Sequence, residues 1–139
     1  MKTKYSQLLK VKKQKVDGIE NKIALLNAQK NKIAVELEVL KREINDLKLP
    51  KEGKFGQFVT ASFAFEKLMG VKKEKEKEID SKNSQIIEAR NEYKMALMEY
   101  EKIKYLEDLI IKEKLAKIKK DEQKLLDEIS VLTYKRRVL

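Results

Sequence analysis

YSQLLKVKKQKVDGIENKIALLNAQKNKIAVELEVLKREINDL, residues 5–47, is the stretch whose spacing decides the fold. Tyr5, Leu9, Lys12, Val16, Ile19, Ile23, Leu26, Lys30, Ile33, Leu37, Leu40, Ile44 and Leu47 follow one another at alternating steps of three and four. Such alternation keeps one row of side chains on one side of a helix and marks a coiled-coil seam. Only Lys12 and Lys30 interrupt the apolar row. Gly18 lies off the seam and weakens the helix by about 1 kcal/mol relative to Ala. Pro50 ends the segment, because the residue before a proline is pushed out of helical geometry. Gly53 and Gly56 follow in what reads as a short loop.

C-terminal to that loop no convincing break appears, and Gly70 is the one weak point near the start, where a kink or a short separate helix can form. A second seam runs through Phe65, Met69, Lys72, Glu76, Ile79, Asn83, Ile86, Arg90, Tyr93, Leu97, Tyr100 and Lys104. It is poor in apolar residues between Lys72 and Arg90. A new row begins at Ile111 and continues through Leu115, Ile118, Glu122, Leu125, Ile129 and Leu132, with a four-residue stutter between Ile103 and Ile111. The fold is therefore expected to be all-α. Two long helices form an antiparallel coiled-coil hairpin with a C-terminal helical overhang. Helix one is placed at about 3–49, the loop at about 50–58 and helix two at about 59–137, in a single domain covering 1–139. Folding back at the loop brings Leu47 near Phe65 and Tyr5 near Lys104. The last 30 or so residues of helix two have nothing from helix one beside them (from a rise of 1.5 Å per residue).

Composition agrees with long helices. Charged residues make up 40% of the chain, hydrophobic residues 42% and aromatic residues 6%. The apolar share is too high for a disordered polyelectrolyte. The chain has no Cys and no His, which removes thiolate and imidazole chemistry at once. No phosphate-binding loop, zinc-protease helix, nucleophile elbow or EF-hand loop occurs. The acidic residues mostly alternate with Lys on helical faces, as in the run from Lys72 to Glu78, which reads as a solvated face. No enzyme activity, cofactor or metal site is expected. Neither an apolar leader nor a membrane-length apolar run is present, so a soluble cytoplasmic protein is expected.

Two signals rise above this background. Phe55, Phe58, Phe63 and Phe65 are all four Phe of the chain, and Leu68 and Met69 lie beside them. Not all can face helix one, and exposed aromatic clusters mark binding surfaces. The second signal is the basic terminal end. Of the net charge of +10, residues 1–15 contribute +6, from six Lys and no acid, and residues 108–139 contribute +3. Nucleic acid is disfavoured as the partner, because the Lys residues share their helices with acids and no aromatic stacking platform appears. A membrane surface fits poorly beside Asp121, Glu122, Asp127 and Glu128.

The opening Tyr5-Ser-Gln-Leu-Leu-Lys-Val-Lys-Lys13 and the closing Leu125-Leu-Asp-Glu-Ile129 with Lys135-Arg-Arg137 carry a resemblance. Together with the length and the two-helix layout, they resemble the FliJ family, stalk-like proteins of the bacterial flagellar type III export apparatus. Stalk proteins of virulence secretion systems are similar more distantly. The resemblance implies a fold similar to the coiled coil of the γ subunit in rotary ATP synthases. It implies that the terminal end engages the pore of the hexameric export ATPase FliI. It also implies that the tip binds the export gate protein FlhA and escorts substrate chaperones. On that basis the gate-binding tip is expected at Phe63, Phe65, Leu68 and Met69. Phe65-Glu-Lys-Leu68 resembles the family's gate-binding stretch, and Lys72 stands where a His is often found. The ATPase-binding end is expected at Lys10, Lys12, Lys13, Lys15, Ile111, Leu115, Ile118, Leu125, Ile129, Leu132, Arg136 and Arg137. The location implied is the cytoplasmic face of the inner membrane at the flagellar base, reached through partners only. Residue patterns alone leave an alternative open, a coiled-coil scaffold or chaperone that homodimerises through its C-terminal helix.

Overall fold

A computed structural model describes residues 2–47 and 55–138. They form two helices that pack against each other, α1 (Ser6–Asp46) and α2 (Phe55–Val138), and no strand occurs among the described residues. At 1.5 Å per residue the helices are roughly 60 Å and 125 Å long. The chain is an all-α helical hairpin.

Thr3, expected near the first helical residue, is instead the cap of α1. Its hydroxyl accepts from the Tyr5 amide at 3.1 Å, and the Ser6 hydroxyl accepts from the Thr3 amide at 2.8 Å. This reciprocal pattern satisfies two amides that a helix start otherwise leaves open. Leu47, expected inside helix one, lies past its end, its amide shared between the Glu43 and Ile44 carbonyls at 3.0 and 3.3 Å. Leu49, Pro50 and Gly53, which carry the expected stop and part of the loop, lie outside the described residues.

Helix two begins at Phe55 rather than about 59. Residues 55–58, expected in the loop, are its first turn, and the Thr60 hydroxyl donates to the Gly56 carbonyl one turn back at 2.9 Å. Glycine is a poor helix former but neither clashes with the preceding turn nor removes an amide, as proline does. For the same reason α2 runs unbroken through Gly70.

The contacts divide the chain into two compact units, one of residues 17–94 and one of residues 1–16 with 95–139. In the unit of 17–94, Leu26, Leu37, Leu40, Ile86 and Ala89 are buried, and Ile23 packs against Leu26, Ile86 and Ala89. Each fully buried aliphatic of this seam contributes about 1.5–3 kcal/mol. Polar pairs border it: Lys22 with Glu92 at 3.7 Å, Lys75 with Glu36 at 2.8 Å, and the Lys82 ammonium donating to Gln29 at 2.9 Å. The residue numbers of these pairs add to between 111 and 114, so one antiparallel register holds through the unit.

In the unit of 1–16 with 95–139, Val16 and Ala96 are buried. Thr3 and Ser6 both donate to the Glu107 carboxylate, at 2.8 and 3.1 Å. Lys12 reaches Glu99 at 2.9 Å. From Lys112 to Val138 every residue of α2 is exposed.

Every seam position expected on α1 is buried or half-buried, Lys12 and Lys30 included. On α2 the row shifts. Lys75, Ala89, Ala96 and Ile103 take the inward places, while Glu76, Arg90 and Lys104 are exposed and Leu97 is half-buried. Positions 72, 75, 79, 82, 86, 89, 93, 96, 100, 103, 107 and 110 keep strict steps of three and four and are all buried or half-buried. The row through 110 passes into the one expected from Ile111 between Glu107 and Leu115, overlapping the expected stutter, and Leu106, Glu107, Ile110 and Ile111 are all half-buried there. At Ala89 and Ala96 the reason lies in size. Ala has no bulk to displace, so a helix can approach it closely, whereas burying Arg90 would need a charge partner.

Candidate functional site

Two surfaces stand out, each within one unit. On α2 in the unit of 17–94, Phe55, Phe58 and Phe63 are 80%, 46% and 68% exposed, and Phe65 is 37% exposed. Phe55, Phe58, Val59, Ser62, Phe63 and Glu66 line one shallow cleft. They recur at helical spacing, 55, 59, 62, 63 and 66, and so form one face of α2. The expected gate patch is thereby split. Phe63 joins this cleft, while Leu68 and Met69 are half-buried and follow Phe65 along the seam row. Val59, Ser62 and Glu66 also line the cleft, and a loop over 50–58 hides the helical spacing that joins them to Phe55 and Phe58. The spacing from Phe55 to Phe63 was the signal available.

The second surface is the start of α1 with the overhang of α2. Lys10 and Lys15 are exposed, as are Arg136 and Arg137. Lys12 is half-buried and ion-paired with Glu99, and the Lys13 ammonium lies 5.7 Å from the centre of the Tyr100 ring. These two lysines serve the hairpin itself and offer less to a partner than Lys10 and Lys15. The hydrogen bond from Lys12, then its charge, holds the Glu99 carboxyl below the usual carboxylate range. Lys75 does the same to Glu36.

Ile111 is half-buried. Beyond it Leu115, Ile118, Leu125, Ile129 and Leu132 are between 47% and 63% exposed. Leu126, Val131, Tyr134 and Val138 are exposed as well, so apolar surface reaches round more of the helix than the expected stripe. Among the described residues the bonds of the overhang are local, such as Gln123 to Asp127 at 3.2 Å. An apolar stripe on a wet helix calls for a partner, since most helical stability comes from packing.

Among the described residues no cluster of metal-ligating side chains occurs, and no helix is long and apolar enough to cross a membrane. A family model described as Flagellar FliJ protein matches residues 1–139. No curated protein and no solved structure matches the chain.

Proposed function

This chain belongs to the FliJ family and is a component of the flagellar export apparatus, and from that premise we propose that it couples the hexameric export ATPase FliI to the export gate protein FlhA. The carrying observation is the overhang of α2, exposed from Lys112 to Val138 with its apolar row uncovered. In this reading the row enters the axial pore of the ATPase. A single chain inside a ring meets its six subunits unequally. A ligand that contacts conformational states unequally shifts their populations, so the chain acts without catalytic residues of its own. Lys10, Lys15, Arg136 and Arg137 speed docking by long-range attraction, and the apolar row sets residence time.

The tip around Phe63 and Phe65 is the gate-binding surface in the same reading, and the chain also escorts substrate chaperones. It works in the cytoplasm at the inner-membrane base of the flagellum, held there through its partners. The exposure of Phe63 at 68% supports the tip assignment, because a packing role would bury it.

The test compares ATP hydrolysis by the export ATPase with the full chain and with a truncation ending before Ile111. The full chain is expected to stimulate hydrolysis and the truncation to lose that effect. Equal stimulation by both would remove the coupling role.

A further inference from the structure

Charges on the overhang of α2 fall in bands. Residues 112–120 hold five Lys and one Glu, residues 121–128 hold four acids and one Lys, and residues 135–137 are Lys-Arg-Arg. Every residue of these bands is exposed. We infer that the overhang pairs with the overhang of a second copy of this chain, antiparallel, with Ile111 opposite Ile129, Leu115 opposite Leu125 and Ile118 opposite Glu122. This register lays the basic band of each chain along the acidic band of the other. It sets Lys114 opposite Glu128 at two symmetry-related places.

Two competing arrangements fail on charge. In a parallel pair Glu122 meets Glu122, Arg136 meets Arg136, and the flanking Lys114 meets Lys119 of the other helix. In the antiparallel register one heptad away, Leu115 meets Leu132 and Ile118 meets Ile129, which is the better apolar match. There, however, Lys114 meets Lys135 and Asp121 meets Glu128. Like charges flanking a coiled-coil seam repel, and this is how such seams select register and partner. The favoured register has its own cost, since Lys119 and Asp121 each meet their own copy beside the two-fold axis. Both have an opposite charge within one turn of their own helix, Glu122 for Lys119 and Lys117 for Asp121. The interface is isologous, closes on itself and leads to a dimer rather than a filament.

Exposed ion pairs add little individually, so the apolar row supplies most of the affinity and the bands choose the register. The pairing covers the row assigned above to the ATPase. The dimer then stores the chain with that row shielded, and the ATPase competes with the second copy. This consequence rests on the proposed function; the dimer does not.

The experiment is sedimentation of the full chain over a range of concentrations, at about 50 mM and about 500 mM salt, where screening differs severalfold. A monomer–dimer equilibrium that weakens at high salt is expected. Lys114→Glu and Glu128→Lys are each expected to weaken it about tenfold, and the chain carrying both to recover to within about threefold of the original. The chain has no Cys, so introduced thiols report the register. A mixture of Ile118→Cys and Glu122→Cys chains is expected to form the mixed disulfide. A chain that stays monomeric, a double variant without recovery, or crosslinking mainly of Ile118→Cys to itself overturns the inference. So does crosslinking mainly of Glu122→Cys to Leu125→Cys. An ATPase that ignores the overhang while the dimer forms as described removes the coupling role and leaves this inference standing.

Discussion

Ala89 is 1% exposed and Arg90, one residue on, faces water. That one-residue choice sets the inner row of α2, and it makes Ala89 a sensitive position. Ala89→Leu is expected to cost about 1–3 kcal/mol, because extra methylenes in a packed seam force off-rotamer side chains. Arg90→Ala is expected to stay within about 0.5 kcal/mol. Urea denaturation of both variants checks the pair, and equal losses would place Arg90 in the seam after all. Gly18 offers the opposite case, since a Cβ added there meets nothing within 4 Å. Gly18→Ala is expected to stabilise the chain by up to about 1 kcal/mol, read as a rise in melting temperature.

Two exposed ion pairs give the helices a pH dependence of known sign. Lys12 lowers the pKa of Glu99 and Lys75 lowers that of Glu36, in each case mainly through a hydrogen bond. A carboxyl with a lowered folded-state pKa stabilises above its unfolded pKa and loses that contribution as pH falls through the folded value. Lys75 is raised by Glu36, so its share persists below the unfolded lysine pKa and disappears only in strong alkali. Stability is therefore expected to fall on the acid side of the carboxylate range. Glu99→Gln and Glu36→Gln should flatten that fall, as followed by circular dichroism against pH. An unchanged acid limb in the double variant would show that neither pair matters.

At the scale of the element, α2 carries the aromatic cleft and the apolar row of the overhang. Its first turns expose Phe55, Phe58 and Phe63, and its last part exposes the apolar row. Phe63→Ala removes a ring that is 68% exposed, so helicity and stability should be nearly unchanged. Binding to the cytoplasmic part of the export gate should weaken about tenfold, the loss typical of a truncated aromatic anchor. Full binding by the variant would return the cleft to a role other than gate recognition. Phe65→Ala is the companion measurement. At 37% exposure Phe65 follows the seam row, and a loss of stability there would mark it as packing rather than recognition.

For the molecule as a whole, the hairpin requires that α1 and α2 pair within one chain. Labels at Lys22 and Glu92, whose charged groups are 3.7 Å apart, are expected to report a short distance that survives dilution with unlabelled chain. A distance that vanishes on dilution would assign the pairing to two chains. The terminal segments hold nearly all of the net charge of +10. Association with the ATPase is therefore expected to slow as salt rises while dissociation changes little, because screening acts on approach more than on the packed contact.

Steps of three and four in residues 5–47 were enough to read α1 and its seam, since a helix meeting another along its length must repeat its apolar side chains near every 3.5 residues. The unpartnered overhang was legible too, because it follows from the unequal lengths of two apolar patterns. The all-α class and the absence of Cys and His were open to inspection. The inner row of α2 was not. Ala89 and Ala96 competed with larger neighbours one place away, and periodicity cannot choose between adjacent rows when both alternate correctly. Close approach of α1 made that choice in favour of the small residue. The start of α2 was likewise undecided by glycine, which permits both loop and helix. In the structure α2 takes in Phe55 to Phe58 and exposes their rings on its first turns.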